Sequence, residues 1–319
     1  MAGYTIRRLL LVLVVLVAVS LLVFSITAIL PGNVAHLILG QFAPPDQVKA
    51  LEMKFGLNDP VLVQYWRWAT KFVAGDFGES ILQSRPVAPL VAEALLRSLA
   101  LTLLSFILIA TIGIALGVFA ALTHGRPLDH AISLATYLGI AVPEFFWAIV
   151  VIMVFAAWLG WLPASGYEPI ATVGFVEWGR HIIAPVMTLV FGHLAHVSRQ
   201  TRSSMIEVLQ SPYVIAARAK GLPERVVVVR HALRNALLPT ITVLALDIGR
   251  LMGGIVVIET VFAYPGLGRL LVFSIQSRDI PTLQASILVV AAIYALANLG
   301  ADLLYAWLNP KIRYGRELA

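Results

Sequence analysis

Six apolar runs leave this chain few alternatives to a bundle of membrane helices. A spanning helix needs about 20 mostly apolar residues in succession. Runs close to that requirement lie at roughly 9–30, 98–122, 131–159, 182–197, 237–262 and 283–308. The fourth is the shortest and is interrupted by His193 and His196; the third contains Pro143. A proline is tolerated in a membrane helix where neighbouring groups satisfy the freed carbonyl. Composition agrees, with 60% hydrophobic residues, only 13% charged and a mean hydropathy of +0.89. A soluble domain carries about 25% charged residues. The expected fold class is therefore an all-α polytopic membrane protein with six transmembrane helices.

Arg7-Arg8 before the first run resembles the start of an export signal. The run is too long for a signal core and no small-residue cleavage site follows it, so it is expected to stay as a helix. Six spans put both termini on one side. The loops on that side carry Arg126, seven basic residues between 198 and 236, and Lys311, Arg313 and Arg316, with few acids beside them. On the other side basic and acidic residues nearly balance. The positive-inside rule then predicts cytoplasmic termini. The net charge of +6 thus reflects orientation, and nucleic acid is not expected as a partner.

Three parts follow: residues 1–30 with the first span, an extracytoplasmic excursion over 31–97, and a five-span core over 98–319 with a cytoplasmic loop at 198–236. In the excursion, residues 60–73 read as an amphipathic helix with Tyr65, Trp66 and Trp68 suited to the membrane interface.

The cytoplasmic loop is heavily punctuated. Ser211 is a good N-cap and Pro212 fits the first helical position. Gly221 suits a left-handed C′ position and Pro223 blocks continuation. The short helix between them is marginal alone in water and needs a surface to pack on. Small Ala216, Ala217 and Gly221 admit a close partner, while Arg218 and Lys220 suit the C-terminal end of the dipole. A second helix is expected over 223–238, with Arg225, Arg230 and Arg234 on its basic side. A helix resting on lipid head groups is the competing reading.

At this loop, Ile215-Ala-Ala-x-x-x-Gly221 followed by Leu238-Pro239 resembles the signature loop of permease subunits in bacterial ABC importers. The string YVIAARAKGLPERVVVVRHALRNALLP is similar to the dipeptide/oligopeptide/nickel branch, as are FGLNDPVLVQYWRW (55–68), ETVFAYPGLGRLL (259–271) and NPKIRYG (309–315). Ile215 stands where the general motif has Glu. The resemblance implies an inner-membrane permease pairing with a second, homologous permease, with two cytoplasmic ATPases that bind ATP and Mg, and with an extracytoplasmic solute-binding protein. The helix from Ser211 to Lys220 would be the coupling helix, with Ser211, Tyr213, Ala216, Ala217, Arg218, Lys220, Gly221 and Arg225 as coupling residues.

None of the five lysines follows a glycine, so the chain has no phosphate-binding P-loop and no cofactor of its own is expected. The chain has no cysteine, which excludes disulfides and thiolate chemistry. His193 and His196 share a helix face, but no nearby acid or third ligand is expected to complete a metal site, and hydrogen-bonded helix packing is the expected role. Gly113-x-x-x-Gly117 and Gly249-x-x-x-Gly253 mark close helix contacts. Glu144, Asp247, Arg250 and Asp302 lie within apolar runs, where charges are costly and default to pairing or function. Asp247 and Arg250, three apart, are expected to pair; Glu144 could face water in a translocation path. An ion-coupled carrier using these acids is the main rival, but it would have no motor for the loop helix to dock. An intramembrane hydrolase lacks a catalytic constellation. Peptides are the default solute, with nickel, opines, glutathione and oligosaccharides open.

Overall fold

The computed structural model describes residues 2–29, 42, 44–55 and 59–308. The end of the first apolar run, much of residues 30–43, residues 56–58 and the stretch 309–319 with Lys311, Arg313 and Arg316 lie outside the described residues.

The described residues are helical throughout, joined by turns. They comprise α1 (Ala2–Ile29), α2 (Pro45–Phe55), α3 (Val61–Val73), α4 (Val87–Leu122), α5 (Pro127–Ala141), α6 (Glu144–Val151), α7 (Ile170–Leu209), α8 (Pro212–Ala219), α9 (Glu224–Val226), α10 (Arg234–Val261), α11 (Leu267–Gln276) and α12 (Ile280–Leu308). Five stretches are long and apolar enough to cross a membrane, or six if the bent pair α5–α6 counts as one.

That pair stands where one continuous helix was expected at 131–159. The two helices meet at 107°. Pro143 has no N–H to give and disfavours helix at the residue before it, and Val142 is accordingly extended (φ −103°, ψ 129°). The Trp147 indole N–H donates to the freed Gly139 carbonyl at 3.2 Å. Past Val151 the helix loosens into a π-helical stretch, Ile152–Trp158.

A second correction concerns the loop helix expected over 223–238. It is not separate from the fifth span. From Glu224 the chain runs through π-helical Val227–Leu233 directly into α10, which carries Pro239 inside it. One proline removes one hydrogen bond, and a long packed helix tolerates that.

The central helix is α7, packed along α4 on one side and α10 on another. The fourth run therefore belongs to a helix far longer than its apolar stretch, broken only near its start, where Gly174 has φ +77°. Close approach to α4 depends on glycine. A Cβ at Gly117 would stand 2.5 Å from Thr201 Cβ and 2.6 Å from the Ser198 carbonyl. The expected packing role holds for this motif, whereas Gly253 of the other motif faces open space.

Helix α1 rests on α12 and α3. The amphipathic helix α3 turns Tyr65 and Trp68 onto Phe24, and the Tyr65 and Ser20 hydroxyls share a hydrogen bond of 2.8 Å. Its opposite face leaves Leu62, Trp66 and Val73 exposed.

Candidate functional site

Helix α8 is built as its punctuation demands, with two differences. Ser211 holds the extended N-cap backbone (φ −70°, ψ 147°), but its hydroxyl donates to the Val208 carbonyl at 2.5 Å instead of capping α8. That carbonyl, in the last turn of α7, also accepts the Ser211 N–H at 3.0 Å, so the hydroxyl reinforces the helix end instead of capping the next one. Gly221 takes φ +77°, the left-handed turn expected at C′.

Val214 and Ala217 point inward and form a small core with Val227. Ala217 is thus not on the outer face where the sequence placed it. The outer face presents Tyr213, Ile215, Ala216, Lys220, Gly221 and Arg225, all exposed. Arg218 has a partner that sequence spacing did not flag. Its guanidinium makes a two-point contact with Glu224, at 3.1 and 2.6 Å, across the Gly221 turn. Pairing with that carboxylate raises the Arg218 pKa above its ordinary value. Exposed pairs of this kind contribute about 0.2–1 kcal/mol, so the clasp shapes the turn more than it stabilises the fold. The Tyr213 hydroxyl accepts a hydrogen bond from Asn235 Nδ2 at 2.8 Å, tying α8 to the start of α10.

The four charges within apolar runs separate into three situations. Asp302 pairs with Arg8 of α1 at 2.8 Å. Asp247, fully buried, pairs with Arg250 at 3.2 Å, while its Oδ2 finds no hydrogen bond among the described residues. Glu144 opens α6, wedged between Gly192 of α7 and Gly254 of α10. Its Oε1 lies 3.2 Å from Nε2 of buried His193. No acid near His193 in sequence pointed to this contact; the elbow at Pro143 creates it. His193 and His196 also lie within electrostatic reach of Asp247. Among the described residues no group of three or more His, Asp or Glu is placed to hold a metal.

Three further acids hold the ends of the bundle and were missed in the sequence. Asp129 receives Arg202 Nε and Nη2 at 2.6 and 2.7 Å and the Gly125 N–H at 3.0 Å. Glu259 accepts from the Ser98 hydroxyl (2.5 Å) and from the N–H groups of Gly268 (2.8 Å) and Arg269 (3.2 Å), capping α11. Asp279 accepts from the Ser80 hydroxyl at 2.5 Å, the Ile81 N–H at 3.2 Å and the Thr282 hydroxyl at 2.8 Å. An acid in the first turn of a helix, as at Asp129 after Pro127, or just before one, as at Asp279 before Ile280, is a signal that could have drawn attention to two of them.

The described residues form a kinked helical bundle with a short, exposed helix clasped at one end. The fold agrees with an inward-facing structure of the MetNI methionine ABC transporter, at TM-score 0.54 and 18% identity, over 69% of this chain and 96% of that one. Residues 113–314 match the family described as binding-protein-dependent transport system inner membrane component, and residues 1–102 match its N-terminal family. The chain belongs to that family and is an inner-membrane transport component. It is 41% identical over 314 residues to the glutathione transport system permease protein GsiC of Escherichia coli (strain K12), covering 98% of this chain and all of that one. It is 39% identical over 317 residues to the oligopeptide transport system permease protein AppB of Bacillus subtilis (strain 168), again over 98% and 100%.

Proposed function

We propose that this chain is one of two permeases in an ATP-driven importer of di- and oligopeptides, with α8 as the helix that engages a cytoplasmic ATPase. The observation that carries the reading is α8 itself. It is held from behind by Val214, Ala217 and Val227, turned by left-handed Gly221 and clasped by Arg218–Glu224, while its outer face stays open. A helix this short needs a surface to pack on, and its own chain covers only one side.

The remaining assignments rest on the family and on charge. The bent pair α5–α6 counts as one crossing, which makes six spans with both termini cytoplasmic. A second homologous permease completes the path, an extracytoplasmic solute-binding protein delivers the solute, and ATP and Mg are bound by two ATPase subunits. Peptides are favoured because full-length relatives named for glutathione and for oligopeptides share amide and zwitterionic chemistry.

Two measurements test this. Uptake into membrane vesicles should stop when ATP is removed while the ion gradient persists; uptake that follows the gradient instead identifies an ion-coupled carrier. A single cysteine at Asp46 should react with an impermeant thiol reagent in intact cells, and one at Glu224 only after the membrane is opened. The reverse pattern overturns the orientation.

A further inference from the structure

Between residues 246 and 260, the exposed positions of α10 are Leu246, Arg250, Gly253, Val257 and Thr260. They recur every three or four residues and so form one stripe. A guanidinium at mid-helix does not suit a lipid-facing stripe, and nothing lies within 4 Å of where a Cβ at Gly253 would stand. Glu144 comes from α6 to the flank of this stripe. Its carboxylate lies against Gly254, one turn along from Arg250, and its side chain is 29% exposed.

The two acids here are not equally paired. The Arg250 guanidinium contacts Asp247, and among the described residues Glu144 has no Lys or Arg paired with it, only the ring of His193. Hydrogen bonding here is incomplete as well. Asp247 Oδ2 and both ring nitrogens of His193, all buried, make no hydrogen bond among the described residues. The Glu144–His193 contact at 3.2 Å is close enough for attraction but too poorly aligned to count as a hydrogen bond. An ammonium group brings Glu144 a positive charge and three donors.

We infer that Glu144 is a counter-charge for the ammonium group of the solute as it passes α10, with Arg250 one turn away to take its carboxylate. This rests on the reading of the chain as a peptide permease and adds a recognition step inside the membrane. The glycines on either side, Gly192 and Gly254, leave the room that the carboxylate occupies.

The absence of native cysteine allows a direct test with Gly253→Cys in the complete importer reconstituted in liposomes. A cationic methanethiosulfonate should label it faster than an anionic one, after normalising to a free thiol. Glu144→Gln should lower that ratio at least fivefold, and Arg250→Gln should raise it. Trialanine at millimolar concentration should slow labelling, while N-acetyl-trialanine should not. The protection comparison needs no change at Glu144, so it decides the matter even if Glu144→Gln fails to assemble. Equal protection by the two peptides, or a ratio unchanged by Glu144→Gln in an assembled complex, overturns the counter-charge alone. No labelling by either reagent shows that this face does not line a wet path, and overturns the placement as well.

Discussion

Acids at the ends of the bundle and in its middle live under different conditions. Glu259 receives three donors, Asp279 three, and Asp129 a two-point guanidinium contact and a backbone N–H. Asp247 has one guanidinium contact and one unpartnered oxygen, and Glu144 faces a misaligned imidazole. Burying a charge is tolerable when its lone pairs are filled and expensive when they are not. The end acids therefore behave as fixed joints. The middle acids retain unused capacity, and capacity of that kind serves something that comes and goes.

The comparison breaks most visibly at Glu259. Glu259→Ala would strand the Ser98 hydroxyl and two N–H groups and remove the cap of α11. Unsatisfied buried donors cost about 1–3 kcal/mol each, so a loss on the order of 3–5 kcal/mol is expected. It should appear as a collapse of the thermal midpoint in detergent. Glu144→Ala, which strands no aligned donor, should lower the midpoint far less. Equal losses would show that donor count does not separate the two regions.

Much of this was legible in the sequence because its signals are local. Apolar run length located the five long apolar helices but not the break at 142–143, and Ser211, Pro212, Gly221 and Pro223 marked both ends of α8 to within a residue or so. What stayed hidden depends on partners far along the chain. Arg8 and Asp302 are paired by the contact of α1 with α12, and Glu144 meets His193 only because Val142–Pro143 turns the chain by 107°. Proline could be read as a possible kink, but not the direction that it would send the following helix. The stretch ETVFAYPGLGRLL was recognisable by family likeness without its physical reason. Glu259 folds back to cap α11, and Gly268 lets that helix start 2.6 Å from Val256 Cα, measured from a would-be Cβ.

The cytoplasmic loop offers an intermediate effect. Gly221 has φ +77° with open space around it, so a side chain there meets no clash. The cost is conformational, and for a β-branched residue it is roughly 1–3 kcal/mol. Gly221→Val should leave the protein in the membrane, while co-purification of the ATPase with it falls several-fold. Gly221→Asn, which tolerates the left-handed region, should retain most of it. If Gly221→Val assembles and transports like the parent, α8 is not the docking helix.

The smallest effect expected is at Asp247 and Arg250, and it sharpens the comparison most. They sit one turn apart and touch at 3.2 Å, but unequally: Asp247 is fully buried, while the Arg250 side chain is 56% exposed. Counting about 1.5 Å per residue from Pro239 puts Asp247 some 12 Å along α10. Removing Arg250 leaves a buried carboxylate with no aligned donor. Removing Asp247 leaves a guanidinium that can still reach the open face. Arg250→Ala should therefore harm assembly more than Asp247→Ala, and the double change should restore part of the loss. Exposure of Arg250 weakens the attraction, so the coupling should lie near the low end of the range for contacting residues, about 0.5–1 kcal/mol. Quantified assembly of both singles and the double decides it. Losses that simply add would mean that Arg250 is held by something other than Asp247, and the second permease would then be the first place to look.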